Sequence, residues 1–191
     1  MRLRDDIKKE KIFDAALDVA LTYGFGGLTV NKIASIATVA PGTVYIYFTN
    51  KEDLLNQLFL KLIQESLDRI VYKLDPNLPF KIGLRTVWIN YLMHRIMHYK
   101  DSNFLLLYYR SSYITNEHKK IAEKLKKPVL DILKIGIEEG LIKSDVDPNL
   151  LFLAIVGFAR EIADEFVNKS DSFTDNVIDE TFTIIWDMIK S

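Results

Sequence analysis

The sequence contains no cysteine and no long apolar run. Without cysteine, structural disulfides, thiol catalysis and cysteine-ligated metal centres are excluded. No stretch approaches the roughly 18 uninterrupted apolar residues that a membrane-spanning helix needs. The charged start MRLRDDIKKEK is not followed by an apolar stretch of the signal-peptide type. These absences predict a cytoplasmic protein with no membrane partner.

A strong excess of charge of either sign is also missing. The formal net charge is −1, which gives no general attraction to nucleic acid, although a local patch can bind phosphate on a neutral protein. The chain has 191 residues, 49% of them hydrophobic. That length and composition fit one large globular domain or two small ones that share a core.

Helical periodicity runs through almost the whole chain, and no segment alternates like a strand. The spacing, with stops at Gly24 and Gly140, predicts an all-α protein of about nine helices. These cover 7–23, 30–37, 41–48, 51–74, 82–99, 104–109, 116–139, 148–167 and 175–190. We expect a three-helix DNA-binding domain over 1–50 and a helical ligand-binding and dimerisation domain over 51–191.

Residues 29–47 have the pattern of a helix-turn-helix, with Thr29 as the N-cap of the first short helix. Pro41 suits the first turn of the second helix, because its missing N–H has no intrahelical partner there. Gly42 removes a side chain where the helix start would press on a surface. Peptide N–H groups and the helix dipole would then suit a phosphate. Tyrosines on so short a helix cannot all point inward, which favours recognition over a core role.

The stretch LTVNKIASIATVAPGTVYIYFTNKEDLL resembles the DNA-binding domain of TetR-family transcriptional repressors nearly position by position. The resemblance covers about the first 55 residues closely, and the rest in helix lengths and spacing. It implies a homodimeric repressor that binds a palindromic double-stranded operator and is released by a small-molecule effector, without enzymatic activity or a cofactor. The expected DNA-binding residues are Thr29, Ala40, Pro41, Gly42, Thr43, Tyr45, Ile46, Tyr47 and Lys51.

The chain departs from the family pattern in the turn. Thr38 would be uncomfortable at positive φ, so we expect a turn built differently from the usual glycine turn. Ala40 and Pro41 offer bases no side-chain hydrogen bond. Direct readout is therefore expected from Thr43 and Tyr45, with apolar contacts to a thymine methyl from Pro41 or Ile46. Through Asp53, equal numbers of basic and acidic residues predict a modest salt dependence.

Catalytic, metal and second nucleic-acid sites are weaker interpretations of other motifs. GFGG at 24–27 lacks the preceding strand and the Lys-Ser/Thr of a phosphate loop. His94 and His98 are four residues apart, but without a third ligand they predict no metal site. The lysines of 119–127 alternate with acidic residues, which is typical of a solvated helix face.

The last two helices carry more apolar surface than one chain can cover. LLFLAIVGF at 150–158 is apolar almost all round, and the final helix has more than one apolar face. We expect a homodimer joined by a four-helix interface. The predicted interface residues are Leu153, Gly157, Ile185 and Trp186.

The middle of the chain is dense in aromatic residues with a few polar groups among them, which is the usual composition of a ligand site. We expect a mostly apolar pocket for an elongated molecule. The predicted lining residues are Leu62, Trp88, Tyr91, Leu92, Arg95, Phe104, Tyr108, Arg110 and Phe158.

FLLLYYRSS and IEEGLIKSDVDPNLL look similar to the TetR subgroup that senses long-chain acyl-CoA. That resemblance implies an acyl-CoA or fatty-acid effector, whose CoA phosphates Arg110 or the 119–127 lysines would contact. A multidrug or aromatic-compound sensor remains the alternative, and a helical binding protein without DNA activity is a further one.

Overall fold

The computed structural model of the protein describes residues 2–75, 77–169 and 174–191, and the elements within these ranges are helical apart from one isolated bridge between Ile142 and Lys190. The helices are α1 (Arg2–Gly27), α2 (Val30–Ile36), α3 (Pro41–Tyr47), α4 (Lys51–Ile70), α5 (Phe80–Met97), α6 (Tyr99–Tyr109), α7 (Asn116–Glu138), α8 (Pro148–Lys169) and α9 (Asp175–Ile189). The predicted all-α architecture is confirmed.

The chain forms two compact units. The first comprises Met1–Gln64 and Lys100–Lys119, and the second Glu65–Tyr99 and Lys120–Ser191. These units are defined by packing, and the division into a DNA-binding domain over 1–50 and a ligand-binding and dimerisation domain over 51–191 stays a prediction. α4 and α7 are continuous helices that each contribute residues to both units.

In the first unit, α1 packs on α2 and α2 on α3. Apolar residues at helical spacing fill its core, including Ile12, Ala16, Ile33 and Leu55, which are at most 1% exposed. The first helix begins earlier than the predicted 7–23, and at its other end it resumes after a break at Gly24, where φ is 66°. Glycine adopts this conformation without the steric cost that a side chain would add.

In the second unit, α5 packs against α8 and α9. The core contains Trp88, Leu92, Leu133, Ala159 and Ile185, each at most 2% exposed. Pro128 lies inside α7, where it removes one backbone hydrogen bond.

Candidate DNA-binding surface and effector cavity

The turn between α2 and α3 is built around a threonine at positive φ. Thr38 has φ of 57°, so the expectation that threonine would avoid this conformation was wrong. The N–H of Val39 donates to the Ala34 carbonyl (2.9 Å) and that of Thr38 to the Ser35 carbonyl (3.2 Å). These are the two bonds of a Schellman motif. They satisfy carbonyls at the end of α2 and offset the strain of the left-handed residue.

Two buried side chains hold α3 on the first unit. Val44 and Phe48 are 1% and 2% exposed, and the Phe48 ring centroid lies 5.2 Å from that of Phe13. Pro41 occupies the start of the helix after the N-cap residue Ala40, which makes no side-chain capping bond. The opposite face of α3 is therefore directed away from this core.

That opposite face is open. Tyr45 is 57% exposed and Ile46 is 77% exposed. Ala40, Pro41 and Gly42 are exposed as well, and Thr43 is half-buried. A Cβ added at Gly42 would meet no protein atom within 4 Å. A large exposed isoleucine beside an exposed tyrosine is a surface suited to base edges and thymine methyl groups.

Two of the predicted DNA-binding residues, Tyr47 and Lys51, have partners within the protein. The Tyr47 hydroxyl donates to Asp5 Oδ1 at 3.3 Å. Desolvation, with the charges of Asp5 and Asp6, raises the pKa of Tyr47. The Lys51 amine donates to the carbonyl of Phe25 at 3.4 Å and lies 5.5 Å from the centre of the Tyr113 ring. Both groups lie near the start of α4, but a phosphate would have to share or displace these contacts.

At the other end of the motif, Thr29 caps α2. Its Oγ1 accepts the Lys32 N–H at 3.3 Å, and its side chain is exposed. The Lys32 amine donates to the Gly27 carbonyl at 3.0 Å and lies 4.4 Å from the centre of the Tyr23 ring. Lys32, which we did not include among the predicted DNA contacts, is therefore a cation held against the end of α1.

The structure divides the predicted ligand-binding residues between the two units. In the first unit, Phe104 and Tyr108 are at most 1% exposed, and Leu62 is also buried. The Tyr108 ring stacks on Phe59 with centroids 4.5 Å apart. Burial raises the pKa of Tyr108 to about 12. These side chains fill a core, whereas Arg110 is exposed.

In the second unit, Trp88 stacks on Phe158 at 5.9 Å between ring centroids, and Leu92 is fully buried. The Arg95 Nη2 lies 3.4 Å from Asp164 Oδ1. Burial raises the pKa of Tyr91, although positive charges nearby oppose that shift. These five residues come together as packing of the second unit.

A cavity of about 670 Å³ lies elsewhere in the second unit. That volume is typical of a site for a small ligand. Most of the wall is aliphatic, and charged side chains stand among the lining residues. The lining residues are Leu67, Leu74, Asp75, Leu78, Phe80, Gly83, Lys124, Lys127, Pro128, Asp131, Ile132, Ile135 and Glu139. None of the nine predicted ligand residues belongs to this lining. The signal that pointed towards it was the lysine-rich start of α7 followed by Pro128.

The predicted dimer residues have different exposures. Leu153 is 59% exposed, and Leu150 and Ile184 are 59% and 53% exposed. A Cβ added at Gly157 would meet nothing within 4 Å. Ile185 is fully buried within its own chain, so it has no surface left for a partner. Trp186 is half-buried, with the Lys81 amine 4.5 Å from its ring centre. The exposed apolar side chains of α8 and α9 therefore include Leu150, Leu153 and Ile184.

His94 lies on α5 and His98 directly follows that helix as its C-cap, with ring centroids 5.6 Å apart. Within the described ranges, no group of three or more His, Cys, Asp or Glu side chains is arranged to hold a metal ion. Burial, followed by the positive charges of Arg69, His98 and Arg95, lowers the pKa of His94 from 6.5 to about 4.

We expect His94 to make stability fall with acidification. Its folded-state pKa lies below its unfolded value, so only the unfolded chain gains this proton between pH 6.5 and 4. Over that pH window the free energy of unfolding should fall by up to about 3 kcal/mol. Urea unfolding across this range should show a steeper decline for wild type than for His94→Gln. Parallel curves would contradict this prediction.

Exposed recognition side chains on a short helix, set on a three-helix core behind a tight turn, define a helix-turn-helix DNA-binding protein. The family model for bacterial regulatory proteins of the tetR family matches residues 12–58. The chain is 33% identical over 172 residues to the fatty acid metabolism regulator protein of Bacillus subtilis strain 168, with 87% of each chain covered. The protein belongs to the TetR family and is a transcriptional repressor.

Solved structures show the same relationship. A TetR family transcription regulator from Marinobacter aquaeolei VT8 matches with a TM-score of 0.87 and 25% identity, over 100% of both chains. FadR from Bacillus subtilis, in complex with stearoyl-CoA, matches with a TM-score of 0.70 and 26% identity, over 92% of this chain and 96% of that one. Among the described residues, the structure contains no helix long and apolar enough to span a bilayer.

Proposed function

We propose that the protein binds a palindromic operator as a homodimer and that an elongated, mostly apolar effector releases it. The single observation that supports this most is the combination, in one chain, of an exposed recognition helix and an aliphatic cavity of about 670 Å³ in the second unit. Long-chain acyl-CoA is the effector class that fits best. The proposed dimer would place two recognition helices about one DNA turn, roughly 34–36 Å, apart.

On the DNA, α3 would lie in the major groove. Thr43, Tyr45 and Ile46 would reach base edges, because they lie on the side of the helix away from the buried Val44. Gly42 would let the helix start approach a phosphate, and Thr29 and Lys51 would contact the backbone from either side.

Thr43→Ala and Lys51→Ala should weaken binding in different ways. A lost base contact relaxes specificity at one position by about 1–3 kcal/mol, whereas a lost phosphate contact weakens all sequences alike and lowers the salt slope by about one. Fluorescence anisotropy with the operator and single-base variants, at several salt concentrations, measures both. If Lys51→Ala leaves the salt slope unchanged, Lys51 is confined to its contacts with Phe25 and Tyr113.

The cavity favours an alkyl chain over a flat aromatic compound. Among the described residues that line it, Phe80 is the one aromatic, while leucines and isoleucines form much of the wall. Lys124 and Lys127 belong to the same lining, where they could meet the phosphates of a CoA group. The Lys127 amine already lies 2.5 Å from Asp131 Oδ2, so CoA would have to compete with that carboxylate. The stearoyl-CoA bound to FadR is a molecule of this chemistry.

Stearoyl-CoA should lower operator affinity of the purified protein by at least about tenfold, within the usual range of allosteric coupling. Lys124→Ala combined with Lys127→Ala should weaken the response to stearoyl-CoA but not to stearate, because only the former carries phosphates. Arg110→Ala tests the earlier expectation that Arg110 meets the CoA group. If saturating stearoyl-CoA leaves operator affinity unchanged while a flat aromatic compound lowers it, the protein is a sensor of aromatic compounds instead.

A further inference from the structure

A buried polar network in the first unit joins α4, α6 and α7. His118, near the start of α7, is 9% exposed. Its Nε2 lies 2.5 Å from Asn56 Oδ1 on α4. Its Nδ1 accepts the N–H of Thr115 at 3.3 Å and lies 3.4 Å from the Tyr108 hydroxyl on α6. One imidazole therefore connects three helices within this unit.

The partners of His118 determine its tautomer. A backbone N–H can only donate, so Nδ1 must be the acceptor and the proton must lie on Nε2. The Nε2–H then donates to Asn56 Oδ1. The ring also lies 5.1 Å from Phe59, between centroids, which limits its rotation. The network is satisfied in this arrangement, and moving α7 away from α4 would leave buried polar groups without partners.

α4 is also attached firmly to the recognition helix. The N–H and hydroxyl of Thr49, just after α3, donate to Asp53 Oδ2 at 2.9 and 2.8 Å. In return the Asp53 N–H donates to Asn50 Oδ1 at 2.8 Å. Hydrogen bonds from Gln57 and Thr49 lower the pKa of Asp53, which keeps the carboxylate charged. A displacement of α4 would therefore carry the end of α3 with it.

The same two helices contribute to the cavity of the second unit. α4 supplies Leu67, and α7 supplies a wall from Lys124 to Ile135. Leu67 is eleven residues beyond Asn56 on one continuous helix. Lys124 is six residues beyond His118 on another. A ligand that separates these walls would act on both ends of the His118–Asn56 hydrogen bond through intact helices.

We infer that the His118–Asn56 hydrogen bond, together with the contacts of His118 to Thr115 and Tyr108, acts as a latch. The closed latch holds the operator-binding arrangement, and filling the cavity opens the latch. This inference rests on the proposed function and assigns its regulation to named residues. His118 and Asn56 are positioning residues, since neither would touch DNA or effector. Opening the latch moves α4 and α3 out of register with the operator.

Asn56→Leu should lower operator affinity about tenfold without any effector and raise the affinity for stearoyl-CoA by a similar factor, because linkage is reciprocal. Asn56→Asp keeps an acceptor for Nε2–H and should restore both values to near wild type. Asn103→Leu, the same change on α6, is the control. Operator binding is measured by anisotropy and stearoyl-CoA binding by calorimetry. Both are measured on the whole chain, for variants whose melting temperature equals that of wild type.

The sign of the change in stearoyl-CoA affinity distinguishes an opened latch from a general loss of structure. Loss of affinity for operator and stearoyl-CoA together, or no change in operator affinity, would overturn the inference. If Asn56→Leu does not fold, Asn56→Ala replaces it with the same two changes expected, because alanine also removes the acceptor of the Nε2–H. His118→Gln is a further variant that keeps the bond. Its amide can still donate to Asn56 and accept from Thr115, so near-wild-type coupling is expected. If stearoyl-CoA no longer lowers operator affinity in His118→Gln, that result would also count against the latch.

A substitution that fills the cavity with a side chain tests the latch without any effector, so the result does not depend on the effector's identity. Gly83 lines the cavity, and a Cβ added there would meet nothing within 4 Å. Gly83→Leu should lower operator affinity about tenfold in the wild-type background and add little to Asn56→Leu, since both act on one equilibrium. Additive effects would overturn the latch. If stearoyl-CoA fails to bind wild type, the acyl-CoA assignment fails while this cycle still decides the latch.

Discussion

Leu153→Glu is expected to convert the proposed dimer into monomers and to lower operator affinity at least about 100-fold, or roughly 3 kcal/mol. Leu153 is 59% exposed, and Leu150 on the same helix and Ile184 on α9 are exposed as well. In the proposed four-helix interface it would be covered by the partner subunit. A two-fold axis would place two added carboxylates in that apolar contact, and buried unpaired charges cost several kcal/mol each.

The matched control is Leu107→Glu on α6. Leu107 is 42% exposed and lies outside α8 and α9, so the same charge should leave both mass and operator affinity unchanged. Light scattering at micromolar concentration measures the mass. A wild-type monomer would contradict the dimer, and an intact Leu153→Glu dimer would place the interface on another surface. Ile185→Glu is a poor test, because that side chain is buried in its own chain and the variant would misfold.

Gly42→Leu is expected to abolish specific operator binding, with a loss of at least about 100-fold, while the fold remains stable. Nothing in the protein lies within 4 Å of a Cβ at this position, and leucine is a better helix former than glycine. Operator DNA would occupy that open space, because the start of α3 is where peptide N–H groups approach a phosphate. The substitution therefore separates a DNA-contact role from a folding role.

Gly26→Leu provides the control for Gly42→Leu. A Cβ at Gly26 also meets nothing within 4 Å, and Gly26 lies outside the recognition helix. Thermal unfolding and anisotropy on both variants should show similar melting temperatures and a loss of binding for Gly42→Leu alone. If Gly42→Leu binds the operator like wild type, the start of α3 does not approach the DNA backbone.

The helices were predictable because local signals set their limits. Thr29 caps α2 through its own side chain, and Pro41 begins α3. The turn was not predictable from residue preference alone. Thr38 at φ of 57° is locally unfavourable, and it is held there by two backbone bonds to the end of α2 that a sequence does not display.

The cavity was harder to predict, because density of aromatic residues does not distinguish a pocket from a core. Trp88, Phe104 and Tyr108 are at most 2% exposed, and large rings at helical spacing fill space between helices. The cavity lining instead comes from residues far apart in the chain, such as Leu67 and Ile132. Their proximity depends on how α4, α5 and α7 pack.

For the same reason, the sequence indicated an excess of apolar surface on the last two helices but not its orientation. Ile184 and Ile185 are adjacent and chemically identical, yet one is 53% exposed and the other is fully buried. A rotation of about 100° per residue decides which side chain faces the core. The register of α9 against α5 had to be known before the exposed member could be chosen.

The central claim is that α3 recognises a specific palindromic operator from a dimer. Selection of bound duplexes from a random library at moderate salt, followed by sequencing, tests it most directly. We predict an enriched palindrome with half-sites centred about 10 base pairs apart or at a multiple of that spacing, which Gly42→Leu fails to enrich. A wild-type selection without any enriched sequence, or with a single unrepeated half-site, would contradict the account.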